Sequence, residues 1–488
     1  MDASLEKRLK RQVIGKPHRF LAVTPLGFEQ TLTKELECIL APNENAASKN
    51  SEQSETPAGI EMPHVTGDGK VEFTAKITEA WKAVAFSRIA NRILMHIADF
   101  KAENFRELEK KASEISWELY LEERRETRDE RRETRDERIS SGNLLHIHVS
   151  CKHSRLYHSD AIAERLYSAI KGGRLPLAPV SPSSIKNKRP EPAEGSEPSA
   201  TPSPRGSTPN TPPQNLYVTL LDDRCTLWLD LAGEELYKRG HERFVNDAPL
   251  KETIAAGMIF EAIYGTKREY CLLDLMAGSG TFSLEAAYAE NNLIPGICRD
   301  FALKHQPAFK EATWNYITNS EFGIRNSKLK KIVTSDISER AIEIIQHNVE
   351  CSPLANVADA TAARAVTPKL HDFFSYSAED IAEVCGETAP ILVLNPPYGK
   401  RLDFDAPRLY TRIGRRLAEL ARALKPFGKD LTVAIIAPKD DTREGAKYTC
   451  TANLLCECPA LRPEENDSAK CLKTSHGGIS LNIFIAKI

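Results

Sequence analysis

From residue 236 onward, short runs of consecutive apolar residues alternate with longer stretches whose apolar positions recur three and four apart. The runs read "YCLLDLMAG", "KIVTSDIS", "VTPKLHDFF", "APILVLNPPY", "DLTVAIIAP" and "SLNIFIAKI". A strand without polar alternation has both faces covered, so this half predicts an α/β fold whose parallel sheet carries helices on each side. The first half has another rhythm. "RFLAVTPLG" and "GKVEFTA" read as strands, and "ITEAWKAVAFSRIANRIL" has a helical apolar period. "NLLHIHVSCKHSRLYHSDAIAERLYSAIKGG" predicts a strand, a polar basic turn and an amphipathic helix ending at Gly172. "LYVTLLDDRCTLWLDLAG" reads as two strands around a turn at Asp222 and Asp223. The expected organisation is an α+β region over residues 18–232 and an α/β domain over 236–488.

Three stretches break the pattern, near residues 41–65, 122–140 and 176–214. The first is polar. The second holds the tandem repeat "ERRETRDERRETRDER", whose opposite charges at helical offsets suggest a solvated helix or tail. The third, rich in Pro and Ser, cannot bury a core and reads as disordered by composition. Charge and cysteines narrow the class. A net charge of -2 over 488 residues means that any polyanion site is local. The eleven cysteines include no C-x-x-C pair, so no zinc site is expected, and an odd, unpatterned count suits reduced thiols in a cytoplasm. "MDASLEKRLKRQ" has no apolar core and does not read as a secretory signal, and no run reaches the ~18 apolar residues of a membrane span.

"LLDLMAGSGTFSLEAA" follows a strand and opens a helix. Gly278 and Gly280 let the backbone turn sharply and approach a ligand, and the helix from about Thr281 aims its N–H groups back at it. The pattern is neither G-x-G-x-x-G nor a P-loop, which disfavours a dinucleotide or a nucleoside triphosphate. Asp274, ahead of the glycines, suits a ligand with positive charge, and a sulfonium cofactor bearing an ammonium group fits better than a pyrophosphate. Asp336, at the next strand tip, is placed to accept ribose hydroxyls. Asp372 would accept from an adenine amino group, with Phe373 against the ring. Each aspartate alone reads equally as a turn or cap residue. Together, at successive carboxyl ends of one sheet, they describe an adenosine pocket.

"ILVLNPPYGKRL" carries the reaction chemistry. A rigid turn after a strand accounts for two prolines but not for Asn395 and Tyr398. An exocyclic amine on a nucleobase is a poor nucleophile because its lone pair is delocalised into the ring. The Asn395 side-chain oxygen and the Pro396 carbonyl can accept both its N–H protons and turn the lone pair toward an electrophilic methyl. The prolines fix these acceptors, and Tyr398 can stack on a base splayed out or flipped into the pocket.

"LLDLMAGSGTF…LEAA", "SDIS…AIEIIQHN", "HDFF" and "LNPPYGKRL" together resemble the Class I S-adenosylmethionine-dependent RNA methyltransferases, most closely those acting on the guanine N2 amino group of 23S ribosomal RNA. "GEELYKRGHERFVNDAPLKETIAAGMI" is similar to the lead-in segment of that family, and "IPGICRDFALKHQPAF" to its insertion between the first two strands. "HIHVSCKHSRLYHSDAIAERLYSAI" resembles the THUMP module, which in that family precedes the catalytic domain and binds RNA. The resemblance implies a Rossmann-like sheet preceded by a ferredoxin-like plus THUMP region, with RNA as partner and S-adenosylmethionine as cofactor. It implies cofactor contacts from Asp274, Ala277, Gly278, Gly280, Asp336, Asp372 and Phe373, and base contacts from Asn395, Pro396 and Tyr398. RNA contacts fall to Lys152, Ser154, Arg155 and Tyr157. Leu275 and Ala277 depart from the Pro and Cys frequent in relatives, and the second fused methyltransferase domain of some relatives is not expected here. Open alternatives remain another planar amine in DNA, transfer RNA or protein, and a non-catalytic RNA-binding protein that kept the fold. Arg239 reads equally as a phosphate contact or a brace.

Overall fold

The computed structural model describes residues 3–41, 61–121, 145–171, 212–245, 249–264, 266–319, 328–357, 365–398, 405–440 and 449–488. The tandem charged repeat and nearly all of the Pro- and Ser-rich stretch lie outside these residues. Both flanking expectations need trimming: Glu61–Val65 lie in a strand, and Gln214 opens another.

The first sheet comprises β1 (Pro17–Val23), β2 (Glu61–Gly67), β3 (Lys70–Lys76), β4 (Arg92–Lys101), β5 (Leu145–Lys152), β6 (Gln214–Leu221) and β7 (Arg224–Asp230) in the order β2-β3-β1-β4-β7-β6-β5. Only β5 and β6 pair in parallel. Alternation sets which face is buried: Phe20 and Ala22 on β1, and Val71, Phe73 and Ala75 on β3, all point into one core. The β6–β7 turn is made by Asp222 and Asp223, both at positive φ (49° and 63°), as a two-residue hairpin with right-handed twist requires. The helix Ala3–Leu9 precedes this sheet. Leu9 and Val13, four apart, enter the same core, a period that the reading of the N-terminus as a mere non-signal passed over.

The second sheet holds β8 (Tyr270–Asp274), β9 (Leu329–Asp336), β10 (Pro368–Leu370), β11 (Ala389–Leu394), β12 (Thr432–Pro438), β13 (Lys470–His476) and β14 (Ile479–Lys487), in the order β10-β9-β8-β11-β12-β14-β13. β8 to β12 are parallel. The expectation of an all-parallel sheet is corrected at its far edge. β14 runs antiparallel to β12, and β13, absent from the sequence reading, closes a hairpin with it. Gly477 and Gly478, at φ 57° and 79°, make the tight turn. Each face of this sheet has its own core, one centred on Leu272, Ile391 and Ile436, the other on Leu273, Leu392, Tyr410 and Ile435. The first runs unbroken into the N-terminal sheet through Phe28, Leu32, Trp81, Ile254 and Met258.

Candidate active site

Strand order reverses direction at β8 and β11, where the chain leaves β8 toward β9 and β10 on one side and β11 toward β12 on the other. The carboxyl ends of these two strands therefore border a crevice, the place where open α/β sheets bind ligands. Every residue singled out for cofactor or base chemistry lies at this edge.

The glycine loop fills the β8 side. Gly278 and Gly280 sit at φ 57° and 76°, and the helix Thr281–Glu290 begins directly after. Their surroundings differ. A Cβ on Gly280 would come within 3.0 Å of Ile345, whereas one on Gly278 would meet nothing within 4 Å. Gly280 is small so that two helices can pack, and Gly278 borders open space. Two bonds tie the loop to β9: Ala277 N–H donates to the Ser335 carbonyl (3.0 Å), and Gly278 N–H donates to Asp336 Oδ2 (2.8 Å). Asp336 Oδ1 also accepts from Ser338 N (3.0 Å). Each carboxylate oxygen keeps a further lone pair for a ligand.

Asp274 stands one layer deeper than its expected contact with a cationic ligand. Its side chain is fully buried. Oδ2 accepts from Ser283 N (3.1 Å) and Ser283 Oγ (2.8 Å), while Oδ1 is buried without a hydrogen-bond partner. Burial, against the Ser283 bonds, pushes this carboxyl up to about 7. Asp274 thus braces the first turn of the helix through Oδ2.

A second correction concerns Phe373. Its ring is 2% exposed and belongs to the core on that sheet face, so it offers no face to a ligand. Asp372 caps the short turn Phe373–Ser375 by accepting from Phe374 N (3.0 Å). The apolar groups that do face outward here are Ile337, 71% exposed immediately after Asp336, and Leu370, 53% exposed at the end of β10. Sequence reasoning missed both. An apolar residue directly behind a strand-tip aspartate was the available signal.

On the β11 side, Asn395 is half-buried and its Oδ1 has no partner among the described residues. An unpaired buried acceptor costs about 1–3 kcal/mol, so its persistence needs a reason. Rotating the amide by half a turn exchanges its oxygen and nitrogen. Pro396 is buried beside it. Tyr398 packs against the core, and burial pushes its phenol up to about 12.

The lead-in segment supplies a strap that the sequence reading left without a role. Arg243 donates to the Thr281 hydroxyl and to Glu252, and to Ser279 Oγ (3.3 Å). Asn348 holds the next residue by both backbone groups, accepting from Phe244 N (2.8 Å) and donating to the Phe244 carbonyl (2.9 Å). It also donates to the Ser279 carbonyl (3.2 Å). Arg239 is a brace: buried, it donates twice to Glu285 (3.0 Å each) and to the Arg88 carbonyl of the N-terminal half (3.0 Å), which excludes a phosphate contact.

The basic turn after β5 divides its residues. Ser154 accepts from Asp223 N (3.0 Å), and Arg155 pairs with Glu103 and Asp223, so both hold the turn itself. Lys152 is exposed at the strand end, and Tyr157 is 68% exposed, with His158 at 4.2 Å between ring centroids. Among the described residues no cluster of three or more His, Cys, Asp or Glu is placed to hold a metal, and no helix is long and apolar enough to cross a membrane.

This strand order, with a glycine loop after β8 and acidic residues at the tips of β9 and β10, defines a Rossmann-like methyltransferase fold. Residues 239–425 match the family model of the RMKL-like methyltransferase domain. The chain is 26% identical over 396 residues to the ribosomal RNA large subunit methyltransferase K/L of Alteromonas mediterranea, covering 79% of this chain and 48% of that protein. It spans about half the length of the curated relatives it matches. Two solved structures share the fold over nearly the whole chain. One is a possible methylase from Clostridium difficile 630 (TM-score 0.62, 22% identity, 97% of this chain and 98% of that one). The other is SMU.472, complexed with SAH (TM-score 0.62, 21% identity, with the same coverage).

Proposed function

We propose that this chain transfers the methyl group of S-adenosylmethionine to the exocyclic N2 amino group of a guanine in RNA, with 23S ribosomal RNA as first candidate. The observation that carries the reading is the unpaired Asn395 acceptor at the β11 tip, across the crevice from the glycine loop. Support for the cofactor comes from the chain's own residues: open space at Gly278, a carboxylate at Asp336 with lone pairs to spare, and the exposed apolar side chains of Ile337 and Leu370, suited to the two faces of a purine. SMU.472 binds SAH on the same fold. Ribosomal RNA is favoured by the K/L relatives, and the N2 position by the family resemblance of the "LNPPYGKRL" segment.

When bound, S-adenosylmethionine supplies a methyl group made electrophilic by its sulfonium. The protein supplies position. Asn395 Oδ1 and the Pro396 carbonyl accept the two amino protons and hold the nitrogen lone pair in line for displacement. Tyr398 lies along the base and keeps it unstacked from its neighbours. No strong base is needed, because the alkylated nitrogen releases its proton readily. In this reading residues 18–232 deliver RNA, with Lys152 and Tyr157 as contacts, and residues 236–488 perform the transfer.

The test is tritium transfer from labelled cofactor to ribosomal RNA of cells lacking this protein, followed by digestion to nucleosides. Label should appear in N2-methylguanosine. Asn395→Ala should lose roughly 10²–10³-fold in rate with cofactor affinity intact. Label in a methylated adenosine, or equal rates for both proteins, would overturn the assignment.

A further inference from the structure

We propose that the first turns of the helix Ala406–Leu424 and the turn His371–Tyr376 form one surface that binds the sugar-phosphate strand of RNA next to the target nucleotide. This rests on the methyl-transfer reading above. The helix starts at the carboxyl edge of the sheet, in the connection that leaves β11 just beyond Asn395 and Tyr398. The turn follows Asp372 directly at the tip of β10. The two elements therefore flank the mouth of the crevice from one side.

Periodicity sets what the helix shows to solvent. Tyr410, Ile413, Leu417, Leu420 and Leu424 are buried, which turns Arg408, Arg412 and Arg415 outward along one stripe. Arg415 is already paired with Glu457, and Arg416 with Glu419 and the Tyr376 carbonyl. Arg408 and Arg412 are exposed and form no ion pair among the described residues. Asp405 is committed to the helix cap, its side chain accepting from Arg408 N (3.1 Å). The Arg412 guanidinium lies 4.1 Å from the centroid of the Phe374 ring. On the same turn, His371 meets Tyr376 edge-on at 4.3 Å.

Unpaired guanidiniums interleaved with aromatic rings suit a nucleic acid strand. Phosphates accept the arginine fork, and unstacked bases or riboses rest on the rings. Asp372, Asp380 and Asp405 share this edge, so the cationic feature is confined to the Arg408 and Arg412 guanidiniums, which have no ion-pair partner among the described residues.

The experiment measures binding of the full chain to purified ribosomal RNA by fluorescence anisotropy between 50 and 200 mM salt. Arg408→Glu and Arg412→Glu combined should weaken binding by at least about tenfold and flatten the log-affinity against log-salt slope by about 1 per arginine. Cofactor affinity by calorimetry should be unchanged. Arg422→Glu, toward the other end of the helix, is the net-charge control for each of the two single variants, Arg408→Glu and Arg412→Glu, and should bind like wild type. Unchanged affinity and slope in the double variant would overturn the proposal, as would an equal loss in Arg422→Glu or a wild-type protein that does not bind RNA. Failure of the methyl-transfer reading shows differently: RNA binding would keep its dependence on these arginines while no label reached the RNA.

Discussion

Asp274 shows how far a single residue can be read from its motif. Its type and position were legible, because an acid before a glycine loop is a recognisable pattern, but its depth was not. Depth depends on Ser283, two residues into the following helix, folding back to claim Oδ2, and on the packing that buries Oδ1. The same depth gives a testable pH dependence. The folded-state value of about 7 lies above the ordinary 3.8, so protonated Asp274 favours the fold. That contribution is fully present below about pH 4 and is lost as pH rises through 7. Asp274→Asn should therefore unfold at higher urea than wild type at pH 8, and the gap should close toward pH 4. A gap that grew on acidification would contradict the burial argument. Asn395 is the opposite case. Its chemistry was legible from "NPPY" alone, and the structure adds only that its acceptor has no partner among the described residues.

At the scale of elements, the parallel strands were legible because each is an apolar run, and the edge hairpin was not, because "KCLKTSH" is half polar. An edge strand covered on fewer sides does not need an apolar run, and its signal was instead the Gly477–Gly478 pair. The adenosine side went wrong for a related reason. "HDFF" offers two aromatics, and only packing decides that Phe373 turns into the core while Ile337 and Leu370 stay out. The glycine loop makes a sharper prediction. Alanine at either Gly278 or Gly280 carries the left-handed backbone strain of roughly 1–2 kcal/mol. At Gly280 the new methyl also presses on Ile345, at 3.0 and 3.2 Å from its nearest side-chain atoms, so Gly280→Ala should lose the more thermal stability. Gly278→Ala should fold nearly as well as its strain allows, yet lose cofactor affinity, because the methyl projects into space a ligand would use. Calorimetric titration and thermal melts of the two variants separate the effects. Equal cofactor affinity in wild type and Gly278→Ala would remove that glycine from the site.

For the whole molecule, the question is what fixes the N-terminal half against the C-terminal half. Beside the shared core, the insertion between β8 and β9, read from sequence as a family-like insertion without a role, adds a fastening. Arg299 spreads its guanidinium over the connecting segment, donating to the carbonyls of Glu235 and Lys238 (2.9 Å each), Ala232 (3.2 Å) and Glu234 (2.8 Å). Beside it, Leu303 N donates to the Leu231 carbonyl (2.9 Å), and Gln306 reaches the Asp230 carbonyl (3.2 Å). Burial lowers the Arg299 guanidinium to about 10, still charged at neutral pH. Four carbonyls on one fork cannot be served by a lysine, whose ammonium is a point donor with three protons. Arg299→Ala should cost roughly 1–3 kcal/mol in urea unfolding, since it strands the two half-buried acceptors of Glu235 and Ala232, and Arg299→Lys should recover only part. Amide hydrogen exchange should accelerate at residues 231–238 in both variants while the glycine loop keeps its protection. If the proposed function holds, with its cofactor contacts on the second sheet, cofactor affinity should stay unchanged while methyl transfer to intact RNA falls. A variant that transferred methyl groups to RNA at the wild-type rate, with the connecting amides exchanging faster, would show that the two halves need no fixed geometry to cooperate.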